Sequence, residues 1–415
     1  MSMVNDLRNT VDARADESRG RRRAPERSTV PSAETIPVYK PYLGAEVKDA
    51  AVAALDAGWL GMGKLSQEFE LAVESYVGGT DRRVVATNSC TEAMHIAARL
   101  IGLGPGDEVI CPSFTYVAGH QAMSRTGAEV VFCDVEPDLL TVDPAKVHEL
   151  VTERTRAVMV VDYLGIPGRI DEVMQIADEH GLRVIEDAAH AFGSRSAGRP
   201  VGSFGDITCF SFGPVKTITT LEGGAVITPD PEDVQTLHEL RHLGIDSDTH
   251  ARYRNQRNWD FDVVRQGYRC HLGAVPAAIG LAQLPLVDEF IKNRRTYARY
   301  YDEAFADLDG VRLFPTDWED VAVCMYVIRV DASRRPDLAS HLKQRGIASG
   351  IHYRGGHTYS HYQGNRRGDL SVTERAMDEV LTLPLHPYMD AETLARVVEG
   401  VRSFFVLTRS HSART

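Results

Sequence analysis

From Ile36 onward the chain alternates short, almost wholly apolar runs with segments of helical spacing. Val84-Val85-Ala86 reads as a strand. Thr91 to Leu103 then reads as a helix, with apolar Met94, Ala97, Ala98 and Ile101 on one face. Gly104-Pro105-Gly106-Asp107 is a turn. Further strands are expected at Val109-Ile110-Cys111, Val130-Val131-Phe132, Val158 to Val161, Val184-Ile185, Ile207 to Phe210 and Ala225 to Thr228. Helices are expected through Ala122 and from Asp171 to His180. Apolar runs that do not alternate with polar residues are buried on both faces. The expected fold class is therefore α/β: a mostly parallel, seven-stranded type of sheet sandwiched by helices. Beyond Gln283 the pattern changes. An amphipathic helix is expected over Val287 to Phe305, with Arg294, Arg295 and Arg299 on its polar side. A strand from Cys324 to Val330, a helix from Asp337 to Arg345 and a last helix from Ala391 to Phe405 complete a smaller C-terminal α+β domain.

The first 34 residues differ. They carry Arg21-Arg22-Arg23, few large apolar residues and interleaved acids such as Asp12, Asp16 and Glu26. Transit peptides avoid such acids, so the segment reads as a disordered basic tail. The expected division is a tail over 1–34, a large domain over 35–283 that would hold a cofactor, and a small domain over 284–415.

Composition narrows the function. The 415 residues hold 46 Lys plus Arg against 58 Asp plus Glu, a formal charge of −12. That balance argues against nucleic acid as the main partner, because phosphate binding needs a basic surface. There is no run of 18 apolar residues and no apolar region near the start, so neither a membrane span nor a secretory signal is expected. Cys90, Cys111, Cys133, Cys209, Cys270 and Cys324 form no Cys-x-x-Cys pair. They read as reduced, mostly buried thiols of a cytoplasmic protein rather than metal ligands.

In an open parallel sheet, ligands bind beyond the carboxyl ends of the strands. Three places there carry chemistry. Asn88-Ser89-Cys90-Thr91 joins the first strand to its helix, where backbone N–H groups and hydroxyls make an anion site or a plain cap. Asp187 ends a strand, where its carboxylate could pair with a ligand cation or cap a helix. Lys216 follows Ser211-Phe212-Gly213-Pro214-Val215; Pro214 disfavours a helix there, so the lysine lies in a strand-end loop. Such an amine can form a Schiff base with an aldehyde once it is deprotonated, or it is an ordinary surface lysine. Neither Gly-x-Gly-x-x-Gly nor Gly-x-x-x-x-Gly-Lys-Ser/Thr follows the first strand, which counts against a nicotinamide dinucleotide and against a P-loop. An anion cradle, an aromatic (Phe114-Thr115-Tyr116), an acid and a lysine, in that order, suit pyridoxal 5′-phosphate.

Together with Glu186-Asp187-Ala188-Ala189-His190, Glu222-Gly223-Gly224 and Gly267-Tyr268-Arg269, these motifs resemble the sugar aminotransferases of the DegT/DnrJ/EryC1/StrS family, pyridoxal-phosphate enzymes of fold type I. The likeness runs from about Ile36 to Phe405. It implies that Lys216 carries the cofactor and shuttles the proton, that Asp187 pairs with the pyridinium nitrogen, that Tyr116 stacks on the ring and that His190 lies near it. It implies that Cys90, Thr91 and Ser211 cradle the phosphate. It also implies a homodimer with shared sites, the polar residue at His271 completing the partner's phosphate cup. Many relatives have Asn there. No metal is implied.

For the substrate wall, the resemblance points to Trp59, Met62 and Lys64 in Gly58–Lys64, and to Tyr353 and His357 in the histidine-rich stretch His352–Tyr362. It implies ping-pong transfer of an amino group from L-glutamate to a nucleotide-linked keto-deoxyhexose, at C4 of an NDP-4-keto-6-deoxyhexose. The alternatives are a C3 aminotransferase on an NDP-3-keto-sugar and a pyridoxal-phosphate-dependent sugar dehydrase. A dehydrase branch carries His where Lys216 stands, which favours amino transfer. Asp162, Leu221 and Cys90 depart from the residues frequent at those places. The sugar could belong to an antibiotic or to a surface glycan.

Overall fold

A computed structural model describes residues 35–78 and 82–412. The tail expected over 1–34 lies outside the described residues. Two helices open the described chain, α1 (Ala45–Asp56) and α2 (Lys64–Tyr76). Then strand and helix alternate: β1 (Arg83–Thr87), α3 (Cys90–Leu100), β2 (Glu108–Pro112), α4 (Val117–Ser124), β3 (Glu129–Cys133), α5 (Pro144–Leu150), β4 (Thr155–Val161), α6 (Ile170–His180) and β5 (Arg183–Asp187). A loop leads to β6 (Ile207–Ser211), β7 (Gly224–Thr228), α7 (Pro231–Arg241) and the short α8 (Asp248–Arg252). The seven strands form one sheet in the order β1-β7-β6-β5-β4-β2-β3. Only β7 runs antiparallel to its neighbours. Strands β2 and β6 are buried at every position, which is why their sequences show no polar alternation.

Each helix is delimited by local chemistry. Asp143 and Asp230 accept N–H bonds at the starts of α5 and α7, and a proline takes the first helical position of each. Gly181, at φ 65°, ends α6 in the left-handed region, where the absence of a Cβ removes the strain.

Helices α9 (Ala274–Gln283) and α10 (Val287–Phe305) follow almost continuously. The stretch 274–305 is long and apolar enough to match a membrane span by length and composition, a feature not anticipated from the sequence. Half of its most apolar window is buried, and α9 packs on α1 and α2. The smaller C-terminal α+β domain has a three-stranded antiparallel sheet, β8 (Val311–Arg312), β9 (Tyr326–Val330) and β10 (Val380–Leu383). Its helices are α11 (Arg335–Gln344), α12 (Ser371–Glu379) and α13 (Ala391–Ser412). Ile36, far away in sequence, bridges to Ile347 and joins this second core.

One sequence expectation fails in α10. Arg295 and Arg299 lie on its polar side, but Arg294 is only 2% exposed. Its guanidinium turns inward and donates to the Lys216 carbonyl at 3.4 Å and to Thr217 Oγ1 at 3.5 Å. A helical wheel cannot see that the opposite surface offers a loop carbonyl and a hydroxyl to which a buried arginine can donate.

Candidate active site

A cavity of about 360 Å³ opens at the carboxyl ends of β1, β5 and β6, within the size range of small-molecule sites. Ser89, Cys90, Thr91, Tyr116, Asp187, His190, Ser211, Lys216, Glu222, His352 and Tyr353 are among its walls. A larger depression of about 780 Å³ is lined by Tyr76, Arg195, Asp288 and Arg295 and includes none of these strand-end groups.

The first wall is the start of α3. Ser89 caps the helix, its Oγ accepting the Glu92 N–H at 3.2 Å, while Thr87 Oγ1 donates to the Ser89 carbonyl at 2.9 Å. Ser89 fixes the turn, and Cys90 and Thr91 line the cavity at the start of a helix whose first N–H groups lack intrahelical partners. Gly224 of β7 passes against this turn. A Cβ there would lie 2.5 Å from the Cys90 nitrogen. Ser211, at the end of β6, supplies a second hydroxyl on the same side.

Asp187 faces the cavity from the end of β5. No helix follows it, since residues 188–194 run in turns. Its capping role reduces to one bond, Oδ1 accepting the Ala189 N–H at 3.1 Å. Burial raises the pKa of this carboxyl, while the Ala189 bond and the Lys216 charge pull it back down. Lys216 is half-buried in the loop after β6, held by its own N–H donating to the Gly213 carbonyl at 3.2 Å and by Arg294 on its carbonyl.

The small domain closes the site from above. Phe114 bridges to Gly355, and the Gly356 N–H donates to the Ser113 carbonyl at 2.7 Å. This docking hangs Tyr353 over the strand ends. Tyr353 Oη lies 3.0 Å from His190 Nε2, and its ring centroid is 5.8 Å from that of Tyr116. Burial and the Lys216 charge hold the His190 pKa well below its usual value, so the ring is neutral. Its Nδ1 is buried without a protein partner, an orphaned polar atom beside the cavity.

The remaining expected residues lie elsewhere in this chain. His357 is buried outside the cavity, with Nδ1 2.7 Å from Ser113 Oγ and Nε2 3.6 Å from Glu374. Trp59 donates its Nε1–H to the Met62 carbonyl at 2.9 Å; Met62 is buried, and Lys64 pairs with Glu68 at 3.4 Å. His271 bridges to Thr87 and stacks edge-on against His242. Glu222 and His352 also line the cavity; the sequence motifs contain both, but neither is given a site role there. On the outer helices, a trio not foreseen from the sequence, His148, Glu179 and His180, brings its donor atoms within 4.8 Å of one another. These three side chains are exposed and do not line the cavity.

An anion cradle, an acid facing a lysine, an aromatic face and an orphaned imidazole nitrogen fit pyridoxal 5′-phosphate group by group. On a seven-stranded sheet with one antiparallel strand, they define a fold type I pyridoxal-phosphate enzyme. The chain belongs to the DegT/DnrJ/EryC1/StrS aminotransferase family, whose model matches residues 41–402. It is similar to the aminotransferase TlmJ of Streptoalloteichus hindustanus, at 33% identity and a TM-score of 0.84 over 90% of this chain and 100% of that one. It is also similar to PseC of Helicobacter pylori, an aminotransferase involved in pseudoaminic acid biosynthesis (26% identity, TM-score 0.84, 90% and 100% covered). A third relative is Spr1654 of Streptococcus pneumoniae, solved in its PMP form (26% identity, TM-score 0.83, 91% and 100% covered). The protein is a pyridoxal-phosphate-dependent aminotransferase.

Proposed function

We propose that this aminotransferase takes its amino group from L-glutamate and delivers it to C4 of a nucleotide-linked 4-keto-6-deoxyhexose. The observation that carries the reading is the placement of Lys216 and Asp187 on one cavity, with the start of α3 as an anion cradle beside them. The substrate class rests on the likeness of Ile36–Pro41 and Gly58–Leu60 to C4-acting relatives, and on the sugar chemistry named for similar proteins.

When bound, pyridoxal phosphate supplies an electron sink for the carbon that gains or loses nitrogen. The chain does the rest. Lys216 Nζ takes a proton from the glutamate α-carbon and later returns one to the sugar carbon, a role worth roughly 10²–10⁴ in rate. Asp187 holds a negative charge against the ring nitrogen. Cys90, Thr91 and Ser211 bind the phosphate through N–H and O–H donors. Tyr116 would cover one face of the bound ring, and neutral His190, held by Tyr353 at Nε2, would have its unpartnered Nδ1 free for the cofactor. Arg294 fixes the Lys216 loop through its carbonyl.

The active form in this reading is a homodimer. Trp259, Phe261, Val263 and Val264 form an exposed apolar segment, with Trp259 80% exposed, and a second copy would cover it. His271 would complete the partner's phosphate cup. Sedimentation that gave a monomer with full activity would refute the shared site.

A purified holoenzyme should be yellow, lose its visible band on addition of L-glutamate and release 2-oxoglutarate. Bleached enzyme should then recover its colour only with a matching nucleotide keto-sugar from a panel that includes 3-keto and 4-keto compounds. Recovery with 3-keto sugars alone would move the reaction to C3. Failure of glutamate to bleach the band would favour the dehydrase.

A further inference from the structure

Behind the cavity lies a group of carboxyls that cofactor binding does not account for. Asp162 follows β4 and is 1% exposed; Glu186, on β5, is fully buried. The strand register sets Val160 beside Glu186 and Val161 beside Asp187, so Asp162 emerges next to Asp187. Its N–H donates to the Asp187 carbonyl at 3.1 Å. Thr208 Oγ1 donates to Glu186 Oε2 at 2.6 Å. The other Glu186 oxygen and both Asp162 oxygens are buried with no protein donor. Yet the two carboxyls are within hydrogen-bonding reach of each other.

Two carboxylates are both acceptors, so they can bond only if one carries a proton. Leaving both charged in a buried site would cost several kcal/mol. We infer that Asp162 is a carboxylic acid in the working enzyme, its O–H donated to the Glu186 carboxylate, and that this keeps the charge facing the cleft on Asp187. Asp162 is a positioning residue, since it acts through Asp187. The inference rests on the reading of Asp187 as partner of the cofactor's ring nitrogen.

The surroundings fix which member holds the proton. The Arg82 charge favours a negative charge on Glu186, and Arg82 itself donates to the Phe204 carbonyl at 2.8 Å. Among the described residues, the charged groups that act on Asp162 are Glu186 and Asp187, both acids. Lys216 lies on the far side, against Asp187, and the Cys209 thiol is held protonated by burial and by these same carboxyls. Burial and the two neighbouring acids push the Asp162 pKa well above the carboxylate range, while burial pushes Glu186 up to about 7. A native state that keeps protons the unfolded chain has lost is destabilised as pH rises. Stability therefore falls from the ordinary carboxylate range upward through about 7.

Infrared spectroscopy of the holoenzyme in heavy water tests this. At neutral pH the wild type should show the carbonyl stretch of a protonated carboxylic acid. Asp162→Asn should remove it, and so should Glu186→Gln, whose amide donates to Asp162 in place of the proton. Asp187→Asn should leave it in place. Asp162→Asn should also lose less stability than the wild type between pH 5 and 8. The inference fails if the band is missing from the wild type, or if it survives Asp162→Asn. A band lost only in Asp187→Asn puts the proton on Asp187, which overturns this inference and the cofactor reading together. Unchanged cofactor binding in Asp187→Asn, with the band intact, overturns the cofactor reading alone.

Discussion

The tightest test of the cradle is a methyl group at Gly224. Its backbone needs no positive φ, so alanine brings no torsional strain there, and the effect is steric. The new Cβ would sit 2.5 Å from the Cys90 nitrogen and 2.6 Å from the Ser89 carbonyl carbon and oxygen. Restoring an ordinary contact takes a shift of roughly 0.9 Å between β7 and the first turn of α3, in a core where small shifts are felt. That turn has little room to retreat, because Ala93, Met94, Ile96, Ala97 and Ala98 are all buried. Overpacking of this kind costs about 1–3 kcal/mol. The share that falls on the cradle weakens cofactor binding tenfold for each ~1.4 kcal/mol. The control is Gly104→Ala. Its Cβ meets only the Gly102 carbonyl at 4.0 Å, so it should be neutral or stabilising by about 0.4–1 kcal/mol. Urea unfolding and fluorescence titration with pyridoxal phosphate read both effects. If Gly224→Ala matches the wild type in unfolding midpoint and in cofactor affinity, the proposal that the α3 turn cradles the phosphate is refuted.

Other expected outcomes follow from the same geometry. Lys216→Ala should abolish turnover while leaving circular dichroism unchanged; steady-state amino transfer in that variant would contradict its role. Glu70 accepts the Ala86 N–H at 2.9 Å and neutralises Arg241, which is fully buried and also donates to the Ala86 carbonyl at 2.8 Å. Glu70→Ala leaves that cation unpaired and should cost about 3–5 kcal/mol in urea unfolding, a buried ion pair broken on one side. His120 is buried, with Nε2 2.9 Å from the Pro112 carbonyl, and burial lowers its pKa to about 4. The unfolded chain then takes up a proton near pH 6.5 that the native state refuses. The contribution is present above that pH and is lost as pH falls towards about 4. His120→Gln should therefore lose less stability than the wild type over that interval, whatever it costs at neutral pH. Parallel curves from pH-dependent urea midpoints would refute the assignment.

What could be read from the sequence follows from how far each interaction reaches along the chain. Strands β2 to β6 are buried on both faces, so each announces itself as a local apolar run. Asp187 and Lys216 stand out because parallel topology makes every strand end a candidate, and a charged residue just after an apolar run needs a reason. The features that escaped depend on partners distant in sequence. Arg294 looks polar on its own helix and is satisfied only by the Lys216 loop, 78 residues earlier. Glu70 and Arg241 are 171 residues apart, and each alone is an ordinary charge on an amphipathic helix. His357 seemed a substrate residue because the stretch around Tyr353 resembles a substrate-facing one. Docking of Gly355 and Gly356 on Phe114 and Ser113 turns Tyr353 to the cavity and ties His357 to Ser113. Asp162 is the instructive intermediate case. Its strand-end position was visible, and so was its departure from the residue frequent there. What it does depends on its proton, and the proton is required only because the register of β4 and β5 brings a second buried acid alongside it. Local pattern thus fixes where chemistry can sit, while charge state is set by neighbours that only the folded sheet supplies.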